Sequence, residues 1–184
     1  MKHLWLALVL AGCASMAQVE PGEFTIAGAL TVRSDGRWNR VEPPRSEADA
    51  TAVWTAEGVT LDMLLFYVGI AEGERGFRAA MLPHEVVELY ESWVAEDGSS
   101  FRLERLAPAQ LGGTPGFVFE HKTTTRSGLA LRGLAYGAVV ERRLYLISYT
   151  APDSHLYAKH LPAVQALAAS ARIRRRESAA FSSP

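Results

Sequence analysis

Cys13 is the single cysteine among 184 residues. It stands directly after an apolar run, Leu4 to Leu10, that begins behind Met1-Lys2-His3. A cysteine thiolate is a strong nucleophile and forms stable thioethers. With no second thiol in the chain, disulfides within it are excluded, so the folded part is held by its core alone. Past the leader the histidines are His84, His121, His155 and His160. A zinc site wants a pair such as i and i+4 on one helical face with a third ligand nearby. His155 and His160 are five apart, which a straight helix does not bring to one face, and no third ligand is spaced for them. His84 opens an expected helix and His121 lies in an expected strand, so whether they meet depends on the tertiary fold. No G-x-S-x-G string marks a nucleophile elbow. Glu85, Glu88 and Glu91 form one helical stripe, the pattern of a solvated face. Acid–base work by paired carboxylates needs an enclosed site that shifts a pKa. The stretch Gly69–Phe77 is glycine-rich but lacks the following lysine and hydroxyl residue of a phosphate loop, and reads as a plain connection. These residues predict no catalytic set, no metal and no cofactor.

The elements that would position these groups follow from periodicity. Pro83–Ala95 is the clearest helix: proline suits its first turn, and Val86, Leu89, Tyr90, Trp93 and Val94 recur at helical spacing up to Asp97-Gly98. Phe24–Arg33 predicts one strand, with a turn at Ser34-Asp35-Gly36 and Trp38–Val41 returning as its partner. Pro43-Pro44 then ends any ladder. Thr51–Thr55 and Thr60–Val68 predict two strands around Glu57-Gly58. The second places Leu61, Met63, Leu65 and Tyr67 on one face and Leu64, Phe66 and Val68 on the other, the mark of a central strand covered on both sides.

From Phe101 the pattern is a run of strands: Phe101–Leu106, Gly116–Thr125, Leu129–Val140 and Arg143–Tyr149. They are separated by Gly112-Gly113, Ser127-Gly128 and Glu141-Arg142, and such short connections make antiparallel neighbours. Phe117 and Phe119 share a face, as do Tyr145, Ile147 and Tyr149. After Pro152-Asp153 a last helix is expected over Ser154–Ala171, with Leu156, Leu161, Val164 and Leu167 inward and a kink or break at Pro162. The fold class is α+β, a mostly antiparallel sheet with helices packed on it. Most of the aromatic residues belong to the core, while some of the Trp and Tyr side chains suit a groove for a protein partner or a glycan.

At 48% hydrophobic and 21% charged residues, with a net charge of −1, the chain carries no basic stripe for nucleic acid. The apolar run at its start is too short to span a bilayer, which takes about 20 residues. A basic start, a short apolar run and small residues after it make a secretory signal. Leu10-Ala11-Gly12-Cys13 resembles the lipobox of bacterial lipoproteins. The resemblance implies a diacylglycerol on the Cys13 thiol, cleavage before Cys13 with Leu10, Ala11 and Gly12 as the recognition residues, and acylation of the new amino terminus. Two or more acyl chains anchor firmly where one does not. Ala14, in place of aspartate, implies the outer membrane.

A second resemblance lies in Leu111–Phe119 (LGGTPGFVF) and Arg143–Ile173, where a strand ending in tyrosine leads to "AP", an aromatic-bearing helix and a terminal "SARI". These resemble the PsbP-like sandwich superfamily. It includes extrinsic photosystem II subunits, a Ran-binding nuclear import factor and DcrB-like bacterial envelope lipoproteins. Members mostly bind partners or stabilise complexes, and no shared catalytic set transfers to this sequence. The expected organisation is a signal peptide over 1–12, a linker over 13–22, one PsbP-like domain over 23–173 and a polar tail over 174–184. Arg174, Arg175 and Arg176 in that tail either meet anionic lipid or cell-wall polymer or are a solvated chain end. The expected function is a lipid-anchored, non-catalytic binding or accessory module of the bacterial envelope. It would be attached to the outer membrane through acyl chains on Cys13, face the periplasm and have an envelope protein as partner. The alternative is an enzyme on an envelope polymer that uses His84, His121 or the glutamates.

Overall fold

The structure, a computed structural model, describes residues 17–43, 50–58 and 61–175. Leu10, Ala11, Gly12, Cys13 and Arg176 lie outside the described residues. The strands are β1 (Ala17–Val19), β2 (Gly22–Ile26), β3 (Leu30–Ser34), β4 (Trp38–Val41), β5 (Ala52–Thr55) and β6 (Met63–Ala71). Helix α1 (Pro83–Ala95) precedes the long strands β7 (Ser100–Leu111), β8 (Thr114–Thr124), β9 (Ala130–Val140) and β10 (Arg143–Pro152). Helix α2 (His155–Ser170) and the short β11 (Arg172–Ile173) complete the fold.

Eight strands form one antiparallel sheet in the order β1-β4-β5-β6-β10-β9-β8-β7, and β11-β3-β2 form a second. β6 and β10 sit at the centre of the large sheet, and the alternation read in Leu64–Val68 is the reason. Leu65 and Tyr67 join a core with Val86, Val87 and Tyr90 of α1. Leu64 and Phe66 join a second core with Ile26, Leu30 and Val32 of the small sheet and Val164 and Leu167 of α2. Both faces of the central strands are therefore covered, one by α1 and the other by the small sheet and α2. The mostly antiparallel α+β class stands.

Helix α1 has the expected bounds. Glu85 is not a purely solvated member of its stripe: Oε2 accepts the Leu82 backbone N–H at 2.7 Å and so satisfies one donor of the first turn. Tyr90 reaches through the core to Ser148 Oγ on β10 at 2.7 Å, which ties the helix to the middle of the sheet. Helix α2 runs unbroken from His155 to Ser170 with Pro162 inside it. Of the kink or break expected there, the break does not occur.

Four further local expectations are corrected. The segment Phe24–Arg33 is a hairpin rather than one strand: Ala27 (φ 48°) and Gly28 (φ 66°) turn the chain so that Ile26 pairs with Leu30. β4 does not return onto β3; it joins the large sheet between β1 and β5. β6 continues to Ala71, and Gly69 (φ 73°) is the extra residue of a bulge opposite Leu144 and Tyr145, so the glycine-rich stretch begins inside the sheet. β7 runs on through Pro108 to Leu111, which an edge strand tolerates because its outer N–H positions face no neighbour. In addition, residues 17–19, assigned to the linker by sequence, form β1.

Gly112 makes the closest approach in the fold. A Cβ at this position would lie 1.4 Å from the Ala171 carbonyl oxygen, and φ is +58°. The β7–β8 turn is thus seated directly on the end of α2. Gly112→Ala should destabilise the protein by about 3 kcal/mol through overpacking and backbone strain. A lowered denaturant midpoint with an unchanged m value would show it, and an unchanged midpoint would contradict the contact.

Candidate functional site

Two adjoining cavities form a cleft on the α1 side of the large sheet, at the end where α1 stops. The inner one holds about 120 Å³ and the outer about 270 Å³, and they share Met63, Thr125, Leu131 and Thr150. The strand register explains its floor. His121, Gly133, Thr150 and Met63 form one row across β8, β9, β10 and β6. The same face of β9 carries Ala135 and Gly137 in the next two rows. Because these β9 positions are small, the rings of β8 lean over them. A Cβ at Gly137 would meet Phe117 Cζ at 2.4 Å, and one at Gly133 would meet His121 Nε2 at 2.0 Å. The alternation Gly133-x-Ala135-x-Gly137 is the sequence signal for this trough.

His121 forms the inner wall and is 1% exposed. Its ring stacks on Phe101 at 4.8 Å and lies 5.6 Å from the Tyr90 ring and 5.9 Å from that of Phe119. Nδ1 pairs with Thr123 Oγ1 at 3.2 Å, and Nε2 has no partner among the described residues. Burial in these apolar surroundings lowers its pKa to about 4, so the imidazole is neutral near pH 7.

The carboxylates of the cleft are engaged. Asp62 is buried and accepts from Thr55 Oγ1 and from the backbone N–H groups of Ala56, Glu57 and Gly58, holding the β5–β6 loop closed. Asp97 accepts the Ser99 N–H at 2.9 Å beyond the end of α1. Thr125 closes the β8–β9 turn by accepting the Leu129 N–H at 3.0 Å. Leu61 and Leu129, 42% and 41% exposed, form an apolar lip. The cleft thus offers hydroxyls, a neutral imidazole and apolar surface, and its described lining contains no lysine or arginine.

The other sequence-selected residues are dispersed. His84 is exposed in the first turn of α1, the far end of the helix from the cleft, and Glu88 and Glu91 are exposed. His155 is exposed at the start of α2. His160 packs toward Trp38, and its Nε2 lies 2.9 Å from Glu57 Oε1, which Lys159 also contacts. The Lys159 and His160 contacts hold the Glu57 carboxyl below its ordinary range and fasten α2 to the β5–β6 loop. Among the described residues no three His, Cys, Asp or Glu side chains gather as metal ligands. Sequence reasoning picked out His121 but missed Asp62, whose signal was the Thr55…Asp62 spacing around a Glu-Gly turn.

No family model and no curated protein matches the sequence. Among solved structures, the chain is similar to the solution structure of cyanobacterial PsbP (CyanoP) from Synechocystis sp. PCC 6803. The TM-score is 0.62 at 11% identity, over 90% of this chain and 96% of that one. The fold is therefore PsbP-like, and at that identity the likeness speaks for the fold alone.

The folded His121 ring takes a proton only near pH 4, whereas an unfolded histidine takes one near 6.5. The unfolded chain therefore binds more protons in this window, and stability falls as the pH drops from 6.5 to 4, by about 3 kcal/mol for this group. Urea midpoints measured from pH 7 to 4 should show that loss, and His121→Leu should remove it while lowering stability at pH 7. Equal slopes in the two proteins would mean that the ring is not buried in neutral form.

Proposed function

We propose that the chain is a lipid-anchored protein of the bacterial envelope, related to the DcrB-like lipoproteins, that acts as a non-catalytic binding or accessory module. Acyl chains on Cys13 hold it to the outer membrane, and the PsbP-like domain faces the periplasm. The match of Leu10-Ala11-Gly12-Cys13 to a lipobox supports the anchor. No helix among the described residues is long and apolar enough to cross a membrane.

The observation that carries the binding reading is the state of the groups lining the cleft. Asp62 and Asp97 are committed to backbone and hydroxyl donors, and His121 is neutral and packed among rings. General acid–base catalysis is most effective with a group whose pKa lies near the working pH, and burial takes His121 away from that range. What remains is a recess with hydroxyls inside and leucines at its lip, suited to receiving part of a partner that is uncharged and partly apolar.

Two measurements test the halves of this reading. Cys13→Ala should move the protein from the membrane pellet to the soluble fraction, and the mature wild-type amino terminus should carry the mass of acyl chains; an unmodified thiol there ends the anchor reading. For the cleft, a photo-crosslinking residue at Leu129 should trap a specific envelope adduct in intact cells. One at Leu82, equally apolar and 57% exposed on the far end of α1, should not. Adducts from neither position, or the same adduct from both, would count against the cleft as the binding surface.

A further inference from the structure

β6 and β10 leave the cleft at Met63 and Thr150 and reach the opposite end of the sheet at Ala71 and Arg143. A cavity of about 280 Å³ opens at that end. Ala27, Gly28 and Ala29 of the β2–β3 turn line it from the small sheet, and Val68, Gly69, Arg143 and Tyr145 line it from the large one. Glu141 and Arg174 complete the lining.

Arg143 opens β10 and is half-buried. Gly69 is the extra residue of the β6 bulge, so its carbonyl is left out of the ladder with β10. Arg143 Nη1 donates to that carbonyl at 2.7 Å. A neutral carbonyl fixes the direction of the guanidinium without cancelling its charge. A guanidinium carries several N–H donors in a rigid fork, and this bond uses one of them. Among the described residues Arg143 meets no carboxylate, whereas Arg142 pairs with Glu72 and Arg172 with Glu23. Glu74, on the loop after β6, is committed to the Ala71 N–H at 2.8 Å.

Arg174 comes from the other side. β11 pairs with β3, and the Arg174 N–H continues that contact to the Ala29 carbonyl at 2.8 Å. Its side chain lines the cavity from the small sheet and meets no carboxylate among the described residues. With Glu141 as its acid, the cavity keeps a net positive charge. The turns that bracket it hold three left-handed residues other than glycine, Ala27 (φ 48°), Glu141 (φ 49°) and Arg142 (φ 60°). Backbone strain of this kind collects at ligand sites.

We propose that this pocket binds a phosphate group, held between the Arg143 and Arg174 guanidiniums. Two forks approaching from different sheets each take their own oxygens of a phosphate, whereas one fork already uses both oxygens of a carboxylate. Two sources supply such a group, a soluble phosphate ester and the headgroup of an anionic phospholipid. For the second, β1 gives a direction. It starts at Ala17 in the row of Leu64 and runs toward the cleft end, so its amino-terminal side points to the end that carries Arg143. The headgroup source rests on the membrane attachment proposed above; the site itself does not.

The test uses the full chain carrying Cys13→Ala, which has no acyl chain, with the arginine Nε resonances ¹⁵N-labelled and assigned. Inorganic phosphate at constant ionic strength should shift the Arg143 resonance saturably, and acetate should shift it far less. Arg143→Gln should weaken phosphate binding about tenfold, the loss of a charge-assisted pair of hydrogen bonds. Arg174→Gln, an exposed change, should also weaken it, and Arg126→Gln, exposed in the β8–β9 turn at the cleft end, should not. No saturable shift, an equal response to acetate, unchanged binding by Arg174→Gln, or an equal loss in Arg126→Gln overturns the site. Vesicles then identify the source. Sedimentation with phosphatidylcholine vesicles containing about one-quarter phosphatidylglycerol, lost in Arg143→Gln and absent with phosphatidylcholine alone, assigns the phosphate to a headgroup. Phosphate binding without sedimentation assigns it to a soluble ester. Failure of the phosphate titration leaves the anchor standing, and an unmodified Cys13 in the wild type leaves the pocket standing.

Discussion

The centre of the large sheet cannot meet water on either side. β6 and β10 carry apolar side chains on both faces, Leu65 and Leu146 toward α1 and Leu64 and Ile147 toward the small sheet and α2. Without disulfides, that burial is what holds the domain, because apolar area removed from water is the main favourable term in folding. Each remaining element serves as cover for one face or extends the sheet sideways. Tyr90 bonded to Ser148 and the Lys159 and His160 contacts to Glu57 fix the two helical covers in place.

The same requirement produced the clefts. A cover that does not reach the end of the sheet leaves a recess there. α1 stops at Ala95 while β8, β9 and β10 continue, and the cavity lined by His121, Thr123 and Thr150 is what remains. On the other face, β2 and β1 end in different sheets and leave the corner at Trp54. One recess has hydroxyls and a neutral imidazole; the other is walled by Phe24, Ile26 and Trp54. The PsbP-like architecture accommodates both, and the architecture by itself does not choose between them.

Much of the fold was legible because periodicity and turn chemistry are local. The 3.6-residue repeat of Val86, Leu89, Tyr90 and Trp93 with Pro83 in front delimited α1. The dipeptides Gly112-Gly113, Ser127-Gly128 and Glu141-Arg142 delimited the long strands. The failures have non-local causes. Ala27 adopts a left-handed conformation that alanine seldom takes, so the hairpin looked like one strand. β4 pairs across the sheet instead of with its sequence neighbour, and nothing within Trp38–Val41 announces that. Pro108 is acceptable only because β7 is an edge, a property of the whole sheet. His121 was visible as a candidate, but its neutrality comes from Phe101, Tyr90 and the small residues of a neighbouring strand. The Trp54 corner needed two sheets to exist at all.

β11 pairs Arg172 with Thr31 and Ile173 with Leu30, and the Arg174 N–H continues the contact to Ala29. The hairpin β2–β3 is thus closed by a strand roughly 140 residues further along the chain. Its layer can settle only once β11 has found β3, and such long sequence separation slows folding. Until α2 and β11 are in place, Leu64 and Phe66 on one face of β6 lack part of their apolar cover, so the central strand is the last to be shielded from water.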